Sequence, residues 1–121
     1  MDETLLFGVS HGADEPERAT VPFIAAATAA VSGRQAIVIA TIDGVTLGLP
    51  EVADTVADDG LPPLVDLQHQ LVQGGGAIWL CSACTTKRGI TGDRSLVPGA
   101  TIVGAARIVE ALGTGRAITL S

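Results

Sequence analysis

Residues 77–84 read Ala77-Ile78-Trp79-Leu80-Cys81-Ser82-Ala83-Cys84, and the chain continues through Thr85, Thr86, Lys87 and Arg88 to Gly89. Five residues ending at Cys81 form an uninterrupted apolar run. It passes directly into a stretch that can begin a short helix, which Gly89 closes. An apolar run of this length reads as a strand buried on both faces, and such strands belong to parallel sheets covered by helices. Just upstream, residues 62–73 form an amphipathic helix opened by Pro62-Pro63 and ended by Gly74-Gly75-Gly76. Leu61, Leu64, Val65, Leu71 and Val72 share its apolar face.

The same alternation extends outward in both directions. Residues 35–41 and 4–10 read as two further buried strands. Between them, the acidic, Pro-containing opening Asp14-Glu15-Pro16-Glu17 starts a helix that runs to Val31 and stops at Ser32-Gly33. Asp14 and Glu15 are expected to cap it. Pro22 lies inside this helix and predicts either a kink or a second start capped by Thr20. Residues 44–60 are broken by Gly44, Gly48, Pro50 and Gly60 and read as an excursion holding a short strand or helical turn. After a loop over 90–99 come a short strand at 100–103, a helix over 105–112 stopped by Gly113-Thr114-Gly115, and a last strand at 116–121. The order βαβαβαβαβ implies an α/β fold in one domain spanning residues 1–121. It is a three-layer sandwich with a mostly parallel five-stranded sheet and helices on both faces.

Composition narrows the function. The chain of 121 residues carries a formal charge of −6 and is 2% aromatic, with no Tyr. A nucleic-acid partner would need a basic footprint or stacking platforms, and neither is present. The apolar run 23–31 is shorter than the roughly 20 residues that cross a bilayer, and the acidic start Met1-Asp2-Glu3 lacks the basic region of a secretory signal. A cytoplasmic protein without membrane partners is expected. No GxxxxGK is present and no GxGxxG follows the first strand, so no nucleotide cofactor is expected.

In an open parallel sheet, ligands and reactive groups collect at the C-terminal ends of the strands. Three clusters fall there: Ser10-His11-Gly12, Thr41 to Gly44, and Cys81 to Cys84. Cys81, where a strand enters a helix, receives free N–H groups and the helix dipole, which favour the thiolate. Lys87 and Arg88 add positive charge nearby. Cys84 makes a CxxC with Cys81, the spacing of a dithiol redox pair. His11 is placed to orient or deprotonate a thiol or substrate. A zinc site would have to draw on His11 and on His69, which belongs to another element, so no metal centre is expected.

The stretch from Ser10-His11-Gly12-Ala13-Asp14-Glu15-Pro16 to Phe23 resembles the N-terminal signature of DsrE/DsrF-like proteins. So do the Ala-rich helix ending at Gly33, Asp43-Gly44-Val45 after the second strand, and Cys81 followed by Lys87-Arg88-Gly89-Ile90. The closing Val103-Gly104-Ala105-Ala106 also fits. The resemblance implies an α/β sandwich assembled as a trimer or hexamer. In the family's sulfur-relay members, the cysteine after the third strand accepts a persulfide and passes the sulfur on, a role that maps onto Cys81. A sulfurtransferase-type persulfide carrier is therefore the leading expectation. Its partners would be sulfur donor and acceptor proteins or small persulfides. Ser10, Asp43, Lys87 and Arg88 would bind substrate or stabilise the thiolate. Cys84 leaves open a dithiol–disulfide oxidoreductase or redox sensor, and an oligomeric binding module without chemistry is the third reading. Mean hydropathy is +0.46 with few large side chains, and self-association through the Ala25–Val31 face and the Leu96-Val97-Pro98 loop is expected.

Overall fold

A computed structural model describes residues 3–120. The acidic start Met1-Asp2, and Ser121 at the end of the expected last strand, lie outside the described residues. Strands β1 (Leu5–Val9), β2 (Ala36–Ala40), β3 (Ala77–Cys81), β4 (Ala100–Val103) and β5 (Arg116–Thr119) form one sheet in the order β4-β3-β2-β1-β5. All four pairings are parallel. The register aligns Phe7 with Val38 and Val38 with Ile78, so alternate residues of the three central strands share a face.

One face carries most of the core. Phe7, Val9, Val38, Ala40, Ile78 and Leu80 meet helix α1 (Pro16–Val31) and helix α3 (Leu64–Gln73), which also pack on each other. Phe23 of α1 and Leu64 and Leu71 of α3 are fully buried there. Each such side chain contributes about 1.5–3 kcal/mol relative to an exposed one, so this layer dominates stability. Pro22 sits within an uninterrupted α1, and the helix neither divides nor restarts at Thr20. Thr20 is buried mid-helix, and its hydroxyl donates to the Pro16 carbonyl at 2.6 Å. Glu15 takes the N-cap position without a side-chain cap hydrogen bond, and it pairs with Arg18 instead.

The opposite face is covered more thinly. Helix α5 (Ala105–Thr114) carries the chain from the β4 edge to the β5 edge, across the three strands between. It lays the Arg107 guanidinium 4.7 Å from the centre of the Trp79 ring. None of its residues is buried. A groove of about 300 Å³ remains between Ile108 and Leu112 of α5 and Leu6, Gly8 and Ile39 of the sheet. Val109, Leu112, Ile118 and Leu120 are exposed. The surface expected to meet another subunit is divided: Val31 and Pro98 are exposed, and the small residues turn inward. Ala26, Ala27 and Ala30 lie in the chain's own core, and Val97 is buried as well. Their small size serves the approach of α1 to α3 and to the sheet.

The excursion after β2 resolves into a 3-10 helix over Ile42–Gly48 and a one-turn helix α2 (Pro50–Ala53). No strand forms in it. The turn is wedged under the end of β1. A Cβ placed on Gly44 would lie 2.3 Å from the Val9 carbonyl oxygen, a distance no side chain tolerates. Gly92, by contrast, faces open space. Gly44→Ala is therefore expected to destabilise the chain by roughly 1–3 kcal/mol, as over-packing does. Gly92→Ala should stay within about 0.5 kcal/mol of the parent. Chemical denaturation of the two variants side by side checks this, and equal midpoints would contradict the wedge.

Candidate functional site at the C-terminal edge of the sheet

Because β1, β2 and β3 are neighbours and run parallel, Val9, Ala40 and Cys81 end on one edge. The three loops that follow them meet there. Gly12 packs against the Asp43–Thr46 turn, so closely that a Cβ on it would lie 3.1 Å from the Asp43 carbonyl oxygen. Ile42, just before Asp43, has φ of +53°, a left-handed conformation rare for a β-branched residue and costing about 1–3 kcal/mol. The strained turn lies where the chain leaves the sheet and sends Asp43 toward the loop after β3.

Asp43 reaches Arg88. The Arg88 Nη2 donates to Asp43 Oδ1 at 2.8 Å and Nε donates to the same oxygen at 3.1 Å. The remaining arm, Nη1, donates to the Cys84 carbonyl at 3.2 Å. This pair is partly solvated, and exposed ion pairs of this kind contribute at most about 1 kcal/mol. Its consequence is positional. The turn after β2 is tied to helix α4 (Ser82–Lys87), and through it to the backbone of Cys84. The charge of Arg88 is thus spent on Asp43 and on the helix, and it is not directed at the sulfur of Cys81. Lys87 is exposed in the last turn of α4. There a cation complements the helix dipole.

Cys81 is the last residue of β3 and the N-cap of α4. Cys84 is the third residue of the helix, so the two side chains occupy the facing positions of a capping box. Both thiols are free and half-buried. Partial burial pushes the Cys81 thiol up, but donors outweigh it and hold it below the ordinary thiol value. The polar hydrogens responsible are the Cys84 N–H, the Cys84 thiol and the Ala83 N–H at the first turn of α4, none of which closes a cap hydrogen bond to the Cys81 side chain. The local fold makes this possible because α4 starts immediately at the strand end and is closed by Gly89 at φ +71°. There the Gly89 N–H donates to the Thr86 carbonyl and the Ile90 N–H to the Thr85 carbonyl, while Ile90 is buried in the core. A shallow groove of about 370 Å³ runs alongside, lined by Ser82, Thr85, Thr86, Gly89 and Ile102.

The structure divides the sequence-derived residues into two sets. Cys81, Cys84, Arg88 and Asp43 form one connected group. Ser10 and His11 form a second, with the Ser10 hydroxyl 3.3 Å from His11 Nδ1. The ends of β1 and β3 that lead to His11 and Cys81 are two strand spacings apart, about 10 Å, with β2 between them, while Gly12 beside His11 packs against the Asp43 turn. Among the described residues the hydrogen bond of His11 is to Ser10, and none joins it to Cys81. His69 is exposed on α3 and lines a separate groove with Val65, Val72 and Pro98. The Ala83 N–H was not legible as a functional group, since any residue type supplies it. The Arg88–Asp43 pair joins residues 45 apart in sequence, and no local pattern announces it.

Comparison with known proteins follows the same lines. Residues 4–120 match the DsrE/DsrF-like family. No curated protein is similar enough in sequence to count as a relative. Among solved structures, the chain is similar to the YchN protein of E. coli, with a TM-score of 0.75 at 18% identity, covering 99% of this chain and 100% of that one. It is also similar to MTH1491 from Methanobacterium thermoautotrophicum, with a TM-score of 0.67 at 19% identity over 98% and 100% of the two chains. For BT1422 from Bacteroides thetaiotaomicron the TM-score is 0.63 at 15% identity, over 98% and 95%. At these identities the structures speak for the fold alone. The family match spans nearly the whole chain, and the protein belongs to the DsrE/DsrF-like family.

Proposed function

We propose that this protein carries sulfane sulfur as a persulfide on Cys81. The observation that carries the reading is a half-exposed thiol at a parallel strand end and at the N-cap of α4, where its pKa is held below the ordinary value. Membership of a family with sulfur-relay members supports it. The chemistry requires a nucleophilic thiolate and room for one additional sulfur. The Cys81 thiolate attacks the outer sulfur of a donor persulfide. A new S–S bond forms at Cys81 as the donor's S–S bond breaks, and the donor departs as a thiolate. Transfer to an acceptor thiolate repeats the step in reverse. Sulfur donor and acceptor proteins, or small persulfides, are the partners this chemistry takes, and the cytoplasm supplies the reducing setting in which Cys81 stays free.

Intact mass after exposure to a small organic persulfide tests the reading. Cys84→Ser should gain one sulfur atom, and Cys81→Ser should not. Equal gain in both, or none in Cys84→Ser, would overturn it.

A second reading, a dithiol–disulfide oxidoreductase, is favoured by the placement of Cys81 and Cys84 at the N-cap and third positions of α4, within one turn of each other. It differs from simple carriage in requiring a Cys81–Cys84 disulfide as a stable state of the cycle.

The protein also works, in this reading, as a homo-oligomer, a trimer or hexamer. The surface for it is the exposed apolar part of α5 and β5. Val109 and Leu112 lie one turn apart on a helix that buries none of its residues, and Ile118 and Leu120 continue the apolar surface. Light scattering should give a multiple of the 12.2 kDa chain mass. Val109→Asp with Leu112→Asp should reduce it to the single chain while the secondary structure persists. A parent protein that scatters as one chain would refute the assembly.

A further inference from the structure

We propose that Cys84 is a resolving thiol, which attacks a persulfide on Cys81 and releases its outer sulfur as hydrosulfide. The proposal rests on the reading of Cys81 as a sulfur acceptor and adds to it an activity, sulfide release, that a single-thiol carrier lacks.

The geometry favours this step. Cys81 and Cys84 hold the N-cap and third positions of α4, whose side chains face each other across the first turn. Both pack against the core while remaining half-accessible. The spacing of the two positions sets the Cys84 thiol within one helical turn of the atom it would attack. Cys84 is also fixed from behind, because Arg88 Nη1 holds its carbonyl and Asp43 holds Arg88. Attack within one helical turn replaces a bimolecular encounter with an intramolecular one.

The step balances without an added base. Cys84 enters as a thiol and Cys81 as the persulfide anion. The bond between the Cys81 sulfur and the outer sulfur breaks, and a bond between the Cys81 and Cys84 sulfurs forms. The outer sulfur takes the bonding pair and the Cys84 proton and leaves as HS⁻. The two cysteines are oxidised to a disulfide and the sulfane sulfur is reduced to sulfide. Hydrosulfide is a weaker base than an alkyl thiolate, which favours its departure in thiol–disulfide exchange. A small dithiol reductant then reopens the disulfide and restores both thiols.

The test loads the reduced full-length chain with a small organic persulfide and follows sulfide and intact mass together, with no reductant present. The wild-type chain should release one equivalent of sulfide above the donor-only blank and finish two hydrogens lighter than the reduced chain. Cys84→Ser and Cys84→Ala should stay one sulfur heavier, with sulfide at the blank. If the wild type holds the extra sulfur as long as both variants do and releases no sulfide, the resolving role is overturned while sulfur carriage stands. If neither Cys84 variant gains sulfur, the carrier reading itself has failed, and this proposal fails with it.

Discussion

Everything at the candidate site depends on the parallel, side-by-side pairing of β1, β2 and β3. Parallel pairing sends all three C-termini to one edge, and the register brings Val9, Ala40 and Cys81 level to within a residue. The three loops could not otherwise share a surface. From that one constraint follow the wedge of Gly44 against Val9, the approach of Asp43 to Arg88, and the fixed position of the first turn of α4. An antiparallel β2 would send Asp43 to the far end of the sheet, some 15–20 Å away for a strand of this length.

Stability and reactivity are drawn from opposite parts of the same architecture. The layer of α1, α3 and the facing side of the sheet is densely packed around Phe23, Leu64, Leu71 and Leu80. It can hold the strained Ile42, which costs free energy locally. The other layer, α5 over Trp79 and Ile39, closes the sheet with a helix that has no buried residue. A thin layer of this kind suits a surface that is completed by another chain.

Much of this was legible in the residue order. The apolar runs at 35–41 and 77–81 are each too short for a helix and too uniform for a half-exposed strand, and both are strands of the parallel sheet. Gly33 and Gly89 stop helices where the sequence places the stops. The position of Cys81 at a strand end follows directly from the apolar run before it. Other features depend on which elements become neighbours, and sequence patterns do not encode that. Ala26, Ala27 and Ala30 read equally well as a face for another subunit or for α3, and α3 covers them. Lys87 and Arg88 look like cations for the thiolate until Asp43 arrives from another loop and takes Arg88. Within 44–60, Gly and Pro mark breaks but do not distinguish a 3-10 turn from a short strand.

The account turns on whether the polar hydrogens of Ala83 and Cys84 hold the Cys81 thiol below its ordinary pKa. The direct measurement is a pH titration of thiolate absorbance in the ultraviolet. A lowered folded-state pKa means the thiolate is present above that value and is lost as pH falls through it. The wild-type chain should therefore show one thiolate appearing with a midpoint below the ordinary thiol value of about 8.5. That transition should vanish in Cys81→Ser and move upward in Cys84→Ala, where the side-chain donor is gone and the backbone donors remain. A wild-type midpoint at or above the ordinary value, unmoved by Cys84→Ala, would contradict the account.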